Sequence, residues 1–239
     1  MKLFLIFLAL PVFALSVTAQ STIKPWTDWS KKDAEKILND SSWGQTFTDE
    51  PSGPVDTTVI TNTRPGMSGD RKGENPAAPT PKPVHYRVRF LTAKPVREAF
   101  ARVVSLSQPD AGKELTDQLQ GFIDRDFGDY LVVSFSIESE DVRRAQGYMM
   151  VLSKLTIDSL RDKVYLERGD GKRATLIDYK PPMGDGMGGK FVFSRTLDGQ
   201  QFLSDAQDTA KFVFQLSEKQ KINLKFKVAG MTYGGKLEY

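Results

Sequence analysis

The segment Gly184-Asp185-Gly186-Met187-Gly188-Gly189 matches G-x-G-x-x-G letter for letter. That pattern binds a dinucleotide when a strand leads in and a helix follows, because the free N–H groups of the helix start hold the pyrophosphate. Here Pro181-Pro182 precede it and Phe191-Val192-Phe193 follow. The segment therefore reads as a glycine loop joining two strands, and no cofactor is expected.

Other chemical candidates fail in similar ways. Asp126-Phe127-Gly128 spells a kinase metal-binding tripeptide, but no glycine-rich loop leading into a lysine strand and no catalytic loop precede it. Asp124, Asp126 and Asp129 are the only calcium candidates. Asp124 and Asp126 suit the first and third positions of an EF-hand loop, yet Gly128 and Phe135 stand where the fifth and twelfth ligands belong. The simpler reading is a solvated helix end. Arg168-Gly169-Asp170 is an adhesive tripeptide in letters, but Gly169-Asp170-Gly171 belongs at a hairpin tip for conformational reasons alone.

The one histidine, His85, sits in an alternating segment with Arg87 and Arg89 on its face. No Gly-x-Ser-x-Gly elbow supplies it with a nucleophile, and a zinc site built on several imidazoles is excluded. Cysteine is absent, which removes thiolate nucleophiles, thiolate metal sites and disulfides. The 30 acids allow a glycosidase pair without singling one out. No catalytic residue is assigned.

Lys2 followed by an apolar run from Leu3 to Leu15, then Val17-Thr18-Ala19, has the order of a secretory leader cleaved between Ala19 and Gln20. The run is shorter than the roughly 20 residues a spanning helix needs, so no stable membrane anchor is expected after cleavage. The protein is thus expected to be periplasmic or extracellular. Lys and Arg total 33 against 30 acids, and Lys2 leaves with the leader, so the mature charge is about +2. The cations are spread along the chain, which gives nucleic-acid binding no support.

The elements that must position any site fall in four segments: a leader over 1–19, a tryptophan-flanked segment over 20–48, a linker over 49–83 and a main domain over 84–239. Ser30 and Asp33 have capping-box spacing, and Ala34, Ile37 and Leu38 share one face, which predicts a helix over 31–40. Trp26, Trp29 and Trp43 then clamp this helix to the main domain rather than forming a sugar platform. Residues 49–83 hold seven prolines and four glycines, which is linker chemistry apart from a β-branched run at Val55–Thr61.

In the main domain, Val84–Leu91 alternates as a strand. Pro95 opens a helix with Val96, Ala99, Phe100 and Val103 on one stripe. A second helix is predicted over 111–126 with Gly128 as its stop. A central strand follows over 130–137, and then a third helix capped by Ser139. Strands are predicted over 164–168, 173–179, 191–195, 212–216 and 222–228, with one more over 234–239. The fold class is α+β: a short N-terminal helix, a Pro-rich linker, three helices, then a C-terminal antiparallel β-sandwich, with the immunoglobulin-like arrangement among the candidates.

The block Trp29-Ser30-x-x-Asp33-Ala34-x-x-Ile37-Leu38-x-x-Ser41-x-Trp43 resembles the opening of an uncharacterised group of exported bacterial proteins. This chain has Ser42 where that group carries proline. The resemblance implies a bacterial envelope or secreted location and no particular activity. The expected function is a non-enzymatic binding or structural module of the envelope, with an envelope protein or a glycan as partner. A secreted hydrolase or carbohydrate-active enzyme and a calcium-dependent adhesive protein are the alternatives.

Overall fold

The structure is a computed structural model that describes residues 24–50, 82–204, 209–218 and 220–239. The leader with Ala19 and Gln20, the Val55–Thr61 run and most of the expected linker lie outside the described residues. The described residues form an α+β fold of five α-helices and several antiparallel sheets.

Along the chain come α1 (Lys31–Asn39), β1 (Gly44–Asp49), β2 (Val84–Phe90), α2 (Lys94–Ser107), α3 (Lys113–Ile123) and β3 (Tyr130–Ser139). Next are α4 (Val142–Lys154), α5 (Ile157–Leu160), β4 (Val164–Arg168), β5 (Arg173–Ala174), β6 (Leu176–Lys180) and β7 (Gly189–Ser194). The chain closes with β8 (Thr196–Leu197), β9 (Gln200–Gln201), β10 (Thr209–Gln215), β11 (Lys221–Lys227), β12 (Thr232–Tyr233) and β13 (Lys236–Leu237). One sheet has the order β1-β2-β3-β7-β6 and a second the order β11-β10-β4-β5; β8 and β9, and β12 and β13, form small separate pairs.

Period-two alternation decides what each sheet buries. Tyr86, Val88 and Phe90 of β2 stand opposite Ile137, Phe135 and Val133 of β3, and Phe191 and Phe193 of β7 continue the rows. This face meets the second sheet through rings: Phe135 lies 5.1 Å from Phe214, Phe191 5.7 Å from Phe212, and Phe90 5.0 Å from Phe226. Edge-to-face and tilted pairs at these distances add to the area they bury. Helix α4 closes the same side, with Leu152 O accepting from Tyr179 Oη at 2.9 Å.

The opposite face of the first sheet carries α1 and α2 over β1 and β2. Ser30 caps α1, its side chain accepting from Asp33 N while Asp33 accepts from Ser30 N at 3.0 Å. Trp29 is buried, and Trp43 Nε1 donates to Glu238 O at 2.7 Å, tying the start of β1 to the C-terminus. Strand β1 therefore joins the same sheet as β2.

Several boundaries differ from the sequence-based expectation. Helix α3 starts at Lys113 and stops at Ile123 instead of running over 111–126, and Gly128 makes its left-handed turn (φ 52°) four residues after the cap Asp124. Asp141 caps α4 by accepting from Arg143 N and Arg144 N; Ser139 Oγ instead donates to Pro83 O at 2.9 Å. The expected strand over 173–179 is two strands in different sheets, β5 beside β4 and β6 beside β7, because the chain crosses between sheets at Thr175. Periodicity does not report a change of sheet, since both halves remain extended. Three strands of the first sheet also precede residue 140, so the sheet is built from both halves of the chain rather than from the C-terminal half.

Candidate functional site

The outer face of β3, β7 and β6 is not covered by α1 and α2, and a cleft of about 880 Å³ opens on it. Drug-sized ligand sites span roughly 300–1,000 Å³, so this one is ample for a small molecule. Val132 and Val192, paired across β3 and β7, form the floor, and Tyr130 sits at one end. The register of β6 against β7 shifts between Leu176 and Asp178, and Ile177 falls in that irregularity. A bulge re-aims side chains at a sheet edge, and Ile177 lines the cleft.

The walls are loops. On one side stand Phe122 from the last turn of α3, then Arg125 and Phe127. Arg97 of α2, 6 % exposed, fixes this wall: its Nε donates to Ile123 O at 2.8 Å, and its Nη1 donates to Leu91 O at 3.3 Å and to Thr92 O. Its guanidinium also lies 5.2 Å from the Phe127 ring centroid. Burial pulls the Arg97 pKa below the ordinary arginine value.

On the other side the glycine-rich loop joins β6 to β7, which is a strand–loop–strand setting. Gly184, Gly186 and Gly188 all have positive φ. Gly188 is the tight one: a Cβ there would lie 2.1 Å from Phe135 O. Asp185 holds the loop by accepting from Met187 N at 3.0 Å and from Lys190 Nζ at 2.6 Å. Met183 and Met187 thereby face the cleft. Tyr130, Ile177 and Met183 are 53 %, 42 % and 77 % exposed, so three large apolar side chains are held in water around one opening. Clustered exposure of this kind marks interaction sites, whereas single exposed apolar residues do not.

The ionisable groups of the cleft are mostly self-paired. Lys180 Nζ lies 2.6 Å from Asp178 Oδ2, and Lys190 is paired with Asp185. The hydrogen bond from Lys180 holds the Asp178 carboxyl below its ordinary range, opposed by partial burial. A carboxylate so held is a poor general acid.

A second depression of about 450 Å³ lies where α2 meets the C-terminal hairpin, lined by Trp26, Lys94, Glu98, Tyr233 and Glu238 among others. Tyr233 Oη donates to Glu98 Oε2, and Lys94 N donates to Glu238 Oε2 at 3.3 Å. Glu98 is 6 % exposed, and burial raises its carboxyl pKa against the lowering effect of the Tyr233 bond. Burial likewise raises the Tyr233 phenol, with Glu98 adding to the shift.

The sequence-derived candidates are placed elsewhere. Asp124, Asp126 and Asp129 do not converge: Asp124 lies 3.7 Å from Lys94 and accepts from Gln120, while Asp126 accepts from Gly128 N at 2.8 Å. Among the described residues no group of three His, Cys, Asp or Glu side chains could hold a metal ion. Arg168 and Asp170 of the adhesive-like tripeptide bind each other at 2.6 Å, which drops the Asp170 pKa to about 2. Paired, the two charges are not offered outward together. His85 Nδ1 lies 3.0 Å from Thr48 Oγ1, at the β1 side of the sheet and outside the cleft.

The residues of Gly184–Gly189 read as a strand-joining loop, and nothing in that segment alone signals the cleft beside it. The available signal is Val132, an apolar residue at an outward position of β3, as a covered or ligand-facing sheet requires.

The chain matches no family model, and no curated protein matches it. Among solved structures, a novel protein of unknown function from Burkholderia pseudomallei K96243 is similar at 13% identity and a TM-score of 0.37, over 59% of this chain and 72% of that one. Among the described residues no helix is long and apolar enough to cross a membrane.

Proposed function

We propose that this protein is a non-enzymatic binding module that holds an apolar ligand in the cleft over β3, β7 and β6. The observation that carries this reading is the gathering of Tyr130, Ile177 and Met183, all exposed, around an apolar floor of Val132 and Val192. The carboxylates at the site are paired with lysines, which suits binding better than acid–base chemistry. The ring contacts between the two large sheets support reading them as a β-sandwich, a rigid scaffold for such a site. The leader-like N-terminus, with cleavage between Ala19 and Gln20, supports work in the bacterial envelope or beyond it.

Nile red, an uncharged dye, tests the reading. Its emission should rise on mixing with the protein. The rise should be lost in Ile177→Asp and Met183→Asp, whose circular dichroism should stay unchanged because both side chains are exposed. Full dye emission in both folded variants would overturn it.

A second reading is favoured by one observation. Glu98, with its raised pKa, and Glu238 line one depression beside Trp26, an arrangement a carbohydrate-active enzyme could use. Turnover of a glycoside panel that Glu98→Gln abolishes would establish that activity; absence of turnover would remove it.

A further inference from the structure

Resting on the cleft as a binding site, we infer that its ligand is an amphiphile with a single anionic end, an alkyl carboxylate, gripped by Arg125. The cleft carries three cations and two anions along its lining: Arg125, Lys180 and Lys190 against Asp178 and Asp185. Four of these are committed, Lys180 to Asp178 and Lys190 to Asp185, each at 2.6 Å. Arg125 is left over. Among the described residues its guanidinium makes no salt bridge and no hydrogen bond, and it lies over the Phe127 ring, 5.4 Å from Cζ to centroid.

A ring face can steady a guanidinium while leaving its N–H edge free, because the attraction runs through the π cloud rather than through the donors. The Phe127 ring also lies 5.2 Å from the guanidinium of the buried Arg97, which is bonded to Ile123 O and Leu91 O. Arg125 is thus a positioned cation at the rim, with Phe122 and Leu91 beside it in the lining. The acids adjacent in sequence are turned away from it: Asp124 lies 3.7 Å from Lys94, Asp126 accepts from Gly128 N, and none of Asp124, Asp126 and Asp129 bonds Arg125 among the described residues or lines the cleft.

One cation in the lining without an ion-pair partner among the described residues selects a monoanion over a dianion. A guanidinium fork offers two parallel N–H donors that fit a carboxylate's two oxygens. The apolar remainder of the lining, running from Val132 and Val192 to Ile177 and Met183, receives a hydrocarbon chain and offers it no polar partner.

Displacement of bound Nile red by dodecanoate, dodecanol and dodecylamine separates the possibilities. Dodecanoate should displace the dye at about tenfold lower concentration than dodecanol, in line with one charge-assisted hydrogen-bonded pair, and dodecylamine should be weaker than either. Arg125→Gln should erase the dodecanoate advantage while leaving dodecanol unchanged, and Arg125→Lys should keep only part of it. Arg125 is exposed, so these variants should fold like the parent protein. Equal displacement by dodecanoate and dodecanol, or a preference that survives Arg125→Gln, would overturn the inference while leaving the apolar cleft standing. Failure of Nile red to bind at all would overturn both.

Discussion

Arg89 Nε donates to Leu38 O at 2.9 Å, joining the end of β2 to the C-terminal end of α1. The same guanidinium donates to Asn39 Oδ1 at 2.9 Å and to Ser136 Oγ at 3.1 Å, and it lies 5.2 Å from the Phe100 ring centroid. It is 3 % exposed, and burial lowers its pKa to about 10. A helix C-terminus carries partial negative charge and free carbonyls, so it is a natural partner for a buried cation. Arg89→Met should remove all three bonds and strand Leu38 O and Asn39, at a cost of about 2–4 kcal/mol. Urea unfolding of the variant measures this; a loss under about 0.5 kcal/mol would mean that α1 is held by its apolar stripe alone.

The glycine loop separates two effects of a methyl group. Gly186 and Gly188 have similar φ values, 74° and 79°, but a Cβ at Gly186 meets nothing within 4 Å while one at Gly188 meets Phe135 O at 2.1 Å. Gly186→Ala should cost about 1 kcal/mol, the penalty of a left-handed backbone alone. Gly188→Ala should cost several times more, since backbone must move, and should weaken Nile red binding. Equal melting temperatures for the two variants would contradict the packing of Gly188 against β3.

Glu98 sets a pH dependence of definite sign. Its folded pKa lies above the ordinary carboxylate value of 4.5, with burial as the main cause. The folded state therefore binds this proton more tightly than the unfolded chain does. The resulting stability is fully present below pH 4.5 and is lost as pH rises through the folded value. Asp33, Glu167, Asp170 and Asp178 are shifted the other way, so the Glu98 contribution must be read as a difference. Glu98→Gln keeps an acceptor for Tyr233, so the variant should gain on the parent as pH rises from 4.5 to neutrality. A constant difference across that range would show that Glu98 does not titrate with unfolding.

Ser134 faces outward on β3, opposite Lys190, fully buried and with no hydrogen-bond partner for its Oγ among the described residues. An unpartnered buried hydroxyl carries a desolvation cost with no return. Ser134→Ala should therefore be neutral or stabilising by up to about 1 kcal/mol in thermal denaturation. A loss of more than 1 kcal/mol would mean that the hydroxyl is bonded in solution.

How much the sequence determined follows from the range of the forces involved. The spacing of Ser30 and Asp33, the alternation of Tyr86, Val88 and Phe90, the stripe through Val96 and Ala99, and the Gly169-Asp170-Gly171 tip are local signals, each acting over a turn or a pleat. Those elements occur in the structure near the residues that encode them. The same local signals place Gly184–Gly189 between two strands, because Pro181 and Pro182 before it and the strand-favouring Phe191, Val192 and Phe193 after it disfavour a helix there.

Tertiary structure alone decided where faces lie and who shares them. Arg89 shares the face of His85 and Arg87 on β2, yet α1, with Leu38 51 residues upstream, covers it. The switch of sheet at Thr175 leaves both flanking pieces extended, so no periodicity records it. The cleft joins the end of α3, the loop after it, an irregular strand edge and the glycine loop, with Arg97 fixing one wall from a different helix. Pairing across such separations is set by which apolar faces can close on each other, and that is a property of the whole chain rather than of any window within it.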